Sequence, residues 1–215
     1  PTGRVMSKEE LLQIADLARE NPNINILSDE IYELILKKEF KHYSLSSLAN
    51  DLKDRIFIIN GFAKGWAMTG WRIGYLVGPK DVIKASSALQ SQSTSNVCSF
   101  VQKGALEALK INNEFFSMIN SHYDQRRSLL YEGLKSINGI YIKEPNGAFY
   151  AFPKLPNSSI TSVDFCNKAL QDYGLVVVPG KAFGADECIR MSCAASEIKI
   201  KDGLQRLEKA IFKYY

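Results

Sequence analysis

Apolar residues in the first third of the chain alternate between helical and strand-like spacing. Residues 7–10 read Ser-Lys-Glu-Glu, a capping-box spacing, and apolar residues at helical intervals follow, which predicts a helix running to about Arg19. Short apolar runs at 24–27 and 55–59 predict two strands, and the second is continuous enough to be buried on both faces. Strand, helix and strand in alternation predict an α/β layer with a largely parallel sheet.

The remaining pattern predicts a second structural unit. A long polar-faced helix is predicted from about Asn113 to Ile137, and beyond it short strands and helices follow in an α+β arrangement. We therefore expect one domain at residues 1–112 and a second, consisting of this connecting helix and a smaller α+β domain, at residues 113–215. Further strands are predicted at 72–77, 140–142, 148–152, 175–178 and 189–193, with helices around 82–89, 100–109, 165–170 and 204–211.

Composition and charge indicate an ordinary globular protein. The chain has 46% hydrophobic and 23% charged residues, a balance that supplies a substantial core. Its formal net charge of +4 is scattered, which favours small anions over nucleic acid as partners. Because the sequence has no bilayer-length apolar run and no signal-peptide pattern, we expect a cytoplasmic protein without a membrane partner.

The cysteine pattern predicts neither a metal site nor a disulfide framework. The four cysteines show no CxxC pairing, and only two histidines could join them as ligands. They are Cys98, Cys166, Cys188 and Cys193.

A lysine and an arginine lie in the glycine-rich segment 61–74. Lys64 follows a predicted buried strand, where functional residues of open α/β sheets collect, and the glycines allow a ligand to approach the backbone. Arg72 could supply a bidentate contact to an anion. On position alone, however, a lysine and an arginine near a loop are more often solvated surface charges.

The segment 61–74 resembles the cofactor-attachment signature of fold-type I aminotransferases of classes I and II, which use pyridoxal 5'-phosphate (PLP). The resemblance implies that Lys64 binds PLP covalently and, once substrate releases it, acts as the base that moves the α-proton. It also implies that Arg72 grips the cofactor phosphate. Some members carry a serine at the position of Gly61, and Ala63 directly precedes the lysine, so those hydroxyl contacts are absent or replaced here.

Two further motifs extend this resemblance. Ser28-Asp-Glu-Ile-Tyr32 is similar to the family's SDE-x-Y motif, which implies that Asp29 pairs with the pyridine nitrogen and Tyr32 with the phenolic oxygen of PLP. The carboxylate would keep the ring nitrogen protonated, so that the ring can accept electrons. Arg190, in the segment 188–193, matches the arginine that binds the substrate α-carboxylate, a role suited to a guanidinium fork. The family usually has an aromatic residue where Cys193 stands.

Weaker similarities occur in three other segments. Residues 178–184 resemble the family's PG-x-x-F-G turn, and residues 145–150 resemble its G-A-F-Y strand entry, which lies close to the substrate. The opening Pro-Thr-Gly resembles the end of an N-P-T-G motif. The tryptophans Trp66 and Trp71 are expected in the core rather than against the cofactor.

The resemblance implies a PLP-dependent aminotransferase, closest to the bacterial-type aspartate enzymes. The substrates would be an aspartate-like or related amino acid and a 2-oxo acid, and the full-length protein would form a homodimer. The chain resembles the C-terminal portion: part of a mostly parallel-sheet PLP-binding large domain, followed by the smaller domain. Because the phosphate-cradling loop and the ring-stacking aromatic would lie outside it, we expect the chain alone to be inactive.

Two other functions stay open on the sequence alone. A lyase or decarboxylase of the same fold type would use the same cofactor residues, since fold does not fix chemistry. The sensor domain of a PLP-responsive transcription regulator would bind the cofactor without turnover. The sequence does not identify the amino acid substrate.

Overall fold

The computed structural model describes residues 1–156 and 160–215, which divide into two compact units. The N-terminal unit comprises Val5–Ser117, and the C-terminal unit comprises Pro1–Arg4 together with Met118–Tyr215. The expected domain boundary lay between residues 112 and 113, whereas this division lies inside the long helix Asn113–Ser136. The first four residues also belong to the C-terminal unit rather than to the segment that follows them.

The N-terminal unit is an α/β structure built on a three-stranded sheet with the order β1-β2-β3. Strands β1 and β2 run parallel, with Asp29 opposite Ile59, and β2 pairs with β3 in the antiparallel sense. The expected parallel arrangement therefore holds for β1 and β2 only, because the chain folds back from β2 to β3 without a crossover helix. The elements are α1 (Lys8–Glu20), β1 (Ile26–Asp29), α2 (Leu45–Leu48), β2 (Ile56–Gly61), β3 (Gly74–Val77), α3 (Lys80–Ser93) and α4 (Ser99–Ala108), with 3-10 turns at Asn50–Leu52 and Thr69–Trp71.

Helix α1 begins with the predicted capping box. The Ser7 hydroxyl accepts a hydrogen bond from the Glu10 N–H at 3.2 Å, and the Ser7 N–H donates to the Glu10 carboxylate at 2.9 Å. Such a cap stabilises a helix by about 1 kcal/mol. The buried face of α1 packs against α2 and the start of β2, and this core cluster contains Ala15, Ala18, Leu45, Ala49, Leu52 and Ile56.

The C-terminal unit is an α+β structure around a second three-stranded sheet, with the order β4-β6-β5 and both pairings antiparallel. The strand expected at 140–142 is absent, because Tyr141 forms only a single antiparallel bridge with Lys154. The elements are α5 (Asn113–Ser136), which contains the division, β4 (Tyr150–Ala151), α6 (Ser162–Tyr173), β5 (Val178–Pro179), β6 (Ile189–Ser192) and α7 (Glu197–Tyr214), with a 3-10 turn at Gly180–Phe183.

The Pro1–Arg4 segment joins the C-terminal unit through main-chain hydrogen bonds. The Gly3 carbonyl accepts hydrogen bonds from the N–H groups of Asn146 and Gly147, both at 2.8 Å. Gly3 has a φ of +67°, and a Cβ there would lie 2.5 Å from Pro145. A glycine is therefore required at this contact. Across residues 1–156 and 160–215, no helix combines the length and the apolar character needed to cross a membrane.

Candidate functional site

Lys64 lies close to Tyr32 at one end of the N-terminal sheet. Because β1 and β2 are parallel, the segments that leave their carboxyl ends emerge side by side. Lys64 follows β2 by three residues, Tyr32 follows β1 by three, and the Lys64 Nζ lies 6.0 Å from the centroid of the Tyr32 ring. The Lys64 side chain is half-buried. The structure thus brings together two residues that the motifs assigned to one cofactor.

Main-chain and ring contacts hold the loop that carries Lys64. The Lys64 carbonyl accepts a hydrogen bond from the Ala67 N–H at 3.0 Å, and the Phe62 carbonyl accepts one from the Met68 N–H at 3.1 Å. The Trp66 indole N–H donates to the Ala108 carbonyl on α4 at 3.1 Å, and the Trp66 and Phe62 ring centroids are 4.8 Å apart. These contacts fix the backbone on both sides of Lys64.

The two tryptophans of this loop have different surroundings. Trp66 packs against a core cluster that includes Phe62 and Met68, as expected from the sequence. Trp71 is 45% exposed, although its ring covers Gly104 on α4, where a Cβ would approach within 2.3 Å. Only part of Trp71 is therefore buried.

Arg72 has a strained backbone at the end of the Thr69–Trp71 turn. Its φ of +54° and ψ of +51° lie in the left-handed region, and Ala67 in the same loop has a φ of +54°. Each such residue costs about 1–2 kcal/mol, and strain of this kind concentrates at ligand sites. The Arg72 guanidinium is exposed and donates from Nη1 to the Thr69 carbonyl at 2.9 Å.

Asp29 is the last residue of β1, and its side chain is exposed. Its Oδ1 accepts a hydrogen bond from the Ile31 N–H at 3.2 Å, so the carboxylate folds over the turn that leads to Tyr32. Asp29, Tyr32, Lys64 and Arg72 all belong to the N-terminal unit.

A buried carboxylate that no sequence motif indicated lies next to Asp29. Glu30 is only 6% exposed, and its carboxylate accepts hydrogen bonds from the Ser28 hydroxyl at 3.0 Å and the Ser44 hydroxyl at 2.9 Å. The His42 Nε2 lies 3.1 Å from its Oε2. Burial by itself raises the pKa of Glu30, but the hydrogen bonds from His42, Ser44 and Ser28 outweigh burial and hold this pKa below its ordinary value.

A second buried polar contact joins the same turn to β2. The Asn60 Nδ2 donates to the Glu33 carboxylate at 2.6 Å, and the Asn60 Oδ1 accepts from the Gly61 N–H at 2.7 Å. Burial raises the pKa of Tyr75, and the charges of Glu33 and Glu30 add to that rise. Atoms that could bind a metal ion lie within 4.8 Å of one another on Glu30, Glu33 and His42. The Glu30 carboxylate, however, already accepts hydrogen bonds from its neighbours.

Arg190 lies on β6 in the C-terminal unit, in contact with two aromatic rings. The carbon at the centre of its guanidinium is 4.4 Å from the Tyr150 ring centroid and 5.0 Å from that of Phe183. Tyr150 belongs to β4, which pairs with β6, and Phe183 ends the 3-10 turn after β5. The Arg190 guanidinium and its two aromatic contacts therefore come from three segments, 145–150, 178–184 and 188–193. Each of these segments carries a separate sequence similarity to the family.

A buried arginine supports the Tyr150 side of this arrangement. Arg127 on α5 is 1% exposed, and its Nη2 donates to the Ala148 carbonyl at 2.9 Å. Its Nη1 forms an ion pair with Asp124 at 2.5 Å. Ala148 has a φ of +52°, so Arg127 stabilises a strained turn two residues before Tyr150. The polar face of α5 gave no indication that one of its arginines is buried.

The sequence matches a known family along nearly its whole length. The family profile "Aminotransferase class I and II" matches residues 1–207. The chain belongs to this aminotransferase family. The membership implied by the motifs is thereby confirmed.

Curated relatives of this aminotransferase chain are about twice its length. It is 40% identical over 220 residues to the probable aspartate/prephenate aminotransferase of Rickettsia felis, covering 98% of this chain and 54% of that protein. It is 39% identical over 215 residues to the aspartate aminotransferase of Pyrococcus horikoshii, with 98% and 54% covered. The chain thus spans about half the length of these relatives.

Solved aminotransferase structures confirm the α/β fold. The aspartate aminotransferase of Rhizobium meliloti matches with a TM-score of 0.91 and 34% identity, covering 99% of this chain and 56% of that chain. The Thermus thermophilus aspartate aminotransferase with maleate matches with a TM-score of 0.88 and 38% identity, covering 98% and 54%.

Proposed function

We propose that this protein is a PLP-dependent aminotransferase that moves an amino group between an aspartate-like or related amino acid and a 2-oxo acid. The observation that carries the proposal is the position of Lys64, half-buried at the end of parallel strands with its Nζ 6.0 Å from the Tyr32 ring centroid. The family membership and the aspartate aminotransferases among its relatives support it.

The residues of the N-terminal unit fit the functional groups of PLP. Lys64 offers a primary amine for the aldehyde, and Tyr32 offers a hydroxyl for the phenolic oxygen. Asp29 would hold the proton on the ring nitrogen, and the exposed, strained Arg72 would bind the phosphate. When bound, PLP supplies an electron sink for the carbanion that an amino acid forms on losing its α-proton.

The chain's own residues then divide the reaction between them. Lys64 would take the substrate α-proton on its Nζ and hold that proton for return to the reacting atoms. Arg190 binds the substrate α-carboxylate through two parallel N–H donors, while Tyr150 and Phe183 restrict its guanidinium from the ring faces.

We also propose that residues 1–215 by themselves bind PLP weakly and do not catalyse transamination. Gly61 and Ala63 carry no hydroxyl that could bind the phosphate. The relatives that are named as aspartate or aspartate/prephenate aminotransferases are about twice as long as this chain. Full transamination by the isolated 215 residues would refute this part of the proposal. By analogy with the family, the full-length protein forms a homodimer, which light scattering after size-exclusion chromatography tests.

The attachment residue is tested by chemical trapping. The full-length gene product is incubated with PLP, reduced with borohydride and digested, and the pyridoxyl group is located by mass spectrometry. We expect it on Lys64, lost in Lys64→Ala and retained in Lys84→Ala, which removes an exposed lysine of α3. A pyridoxyl group on another lysine of the wild-type protein would contradict the proposal.

The reaction type is tested by product analysis. With aspartate as donor, an aminotransferase converts the bound cofactor to its pyridoxamine form and releases a 2-oxo acid. A lyase or decarboxylase would instead release an elimination product or carbon dioxide without accumulating pyridoxamine. A PLP-responsive regulator would bind the cofactor and yield neither set of products.

A further inference from the structure

The Glu30 carboxylate is surrounded by donors from separate parts of the N-terminal unit. Ser28 contributes from β1, and His42 and Ser44 contribute from the segment that leads into α2. Burying a carboxylate costs several kcal/mol unless hydrogen bonds compensate. Across the described residues, every buried side-chain nitrogen and oxygen atom has a hydrogen-bond partner. The sequence therefore maintains a complete polar network at this position.

Glu30 is fixed through its backbone as well as its side chain. Its N–H donates to the Ile59 carbonyl on β2 at 2.8 Å, and its carbonyl accepts from the Glu33 N–H at 2.9 Å. Asp29 directly precedes it, and Tyr32 follows two residues later in the turn that these bonds close. Any movement of Glu30 would therefore move both of the residues proposed to contact PLP.

The Glu33–Asn60 contact adds a second attachment for the same turn. Asn60 is 4% exposed, and it binds Glu33 through Nδ2 and the Gly61 N–H through Oδ1. Gly61 ends β2 and lies three residues before Lys64. The turn that carries Asp29 and Tyr32 is thus tied to the strand end from which the Lys64 loop departs.

Stability alone does not explain a carboxylate at position 30. Replacing a buried ion pair by apolar residues of similar volume is often neutral or stabilising, so the polar network is not needed to fill the space. Directional hydrogen bonds to a charged group instead select one geometry for the turn. We propose that Glu30, held by Ser28, His42 and Ser44, is a positioning residue that sets Asp29 and Tyr32 for PLP. This inference rests on the proposed function.

The test compares variants of the full-length protein by PLP binding. Glu30→Gln keeps the side-chain volume and removes the charge, and Glu39→Gln is the matched control because Glu39 is exposed. We expect Glu30→Gln to weaken PLP binding about 10-fold, measured by absorbance titration of the PLP-free protein, since the turn that carries Asp29 and Tyr32 loses hydrogen bonds to a charged group. The absorbance of bound PLP should also titrate at a lower pH, because Asp29, no longer held in one position through Glu30, would favour the protonated ring nitrogen less strongly. Glu39→Gln should match the wild type in both measurements.

Two serine variants keep the inference testable if Glu30→Gln does not fold. Ser44→Ala removes one donor to Glu30, whereas Ser44→Thr retains the hydroxyl. We expect weaker PLP binding in the alanine variant and recovery in the threonine variant. Equal PLP affinity and equal absorbance in Glu30→Gln and the wild type would overturn the positioning role, whatever the melting temperature. If the wild type itself forms no borohydride-stable adduct at Lys64, the proposed function has failed rather than this inference.

Discussion

The residues proposed to bind the cofactor and the residue proposed to bind the substrate are held by different kinds of contact. In the N-terminal unit, buried hydrogen bonds to Glu30 and Asn60 fix the turn that carries Asp29 and Tyr32. In the C-terminal unit, two aromatic rings lie against Arg190. Hydrogen bonds hold the cofactor-side residues in one geometry, whereas ring faces restrict a guanidinium and leave its in-plane donors for a carboxylate. The comparison indicates a fixed cofactor side and a substrate side that keeps its donors available.

The largest expected effect is on the cofactor side. Lys64→Ala should lower kcat/KM by about 10²- to 10⁴-fold or more, because it removes the residue proposed to move the α-proton. Steady-state kinetics of the full-length protein measure this loss, and Lys84→Ala should retain wild-type activity. Near-normal turnover in Lys64→Ala would remove the basis for assigning catalysis to the N-terminal unit.

The next effect concerns the support of the substrate side. Arg127→Met should lower the free energy of unfolding by roughly 2–3 kcal/mol, because the partly buried Ala148 carbonyl loses its donor and Asp124 loses its ion pair. Urea denaturation gives the change, and Arg126→Met, at a less buried arginine of the same helix, is the control. Equal midpoints for the two variants would show that Arg127 does not hold the strained turn.

A smaller effect separates substrate binding from cofactor binding. Arg190→Lys should raise KM for the amino acid about 10-fold, equivalent to ~1.4 kcal/mol, because an ammonium cannot form two parallel bonds to a carboxylate. PLP affinity should not change. Arg206→Lys on α7, whose guanidinium donates to the Tyr173 carbonyl, is the matched control. A loss of PLP binding in Arg190→Lys would contradict the division between the two regions.

The ring contact itself should contribute less. Tyr150→Leu should raise KM for the amino acid two- to fivefold, since a cation–π contact at a partly exposed site contributes about 0.5–1 kcal/mol. Tyr150→Phe keeps the ring and should behave like the wild type in the same kinetic assay. If both variants lose the same affinity, the hydroxyl rather than the ring face holds Arg190.

The smallest effect is an acid-dependent loss of stability that originates at Glu30. Its pKa is lower in the folded protein than in the unfolded chain, so its contribution is present above the ordinary glutamate pKa of about 4.3 and is lost as the pH falls below it. His42, Glu33 and Tyr75 face the same cluster. Urea denaturation at neutral and acidic pH should show a shallower pH dependence for Glu30→Gln than for the wild type. Identical slopes would mean that Glu30 keeps an ordinary pKa.

Local signals were enough to predict the longer helices. The Ser7 capping box fixed the start of α1, and the periodicity at residues 113–137 gave α5 to within a residue. Strand ends were harder to predict, because an apolar run such as 24–27 does not show which of its residues pair with a neighbouring strand. Residues 140–142 look like a strand but form one bridge, since only Tyr141 meets a partner backbone.

Long-range polar contacts could not be predicted from the sequence. His42 meets Glu30 across a loop whose path no local pattern describes. Arg127 donates to the carbonyl of Ala148, whose left-handed backbone conformation no local pattern indicated. By contrast, Lys64 and Tyr32 were assigned to one ligand by motif alone, and their proximity follows from the parallel pairing of β1 and β2.

The attachment of Gly3 to Asn146 and Gly147 affects how the chain folds. The N-terminal unit is one continuous stretch of this chain, whereas the C-terminal unit combines two stretches that residues 5–117 separate. The contacts of Gly3 with Asn146 and Gly147 join residues far apart along the chain, so forming them closes a long loop and costs loop-closure entropy. We therefore expect the unit that carries Arg190 to assemble after the unit that carries Lys64.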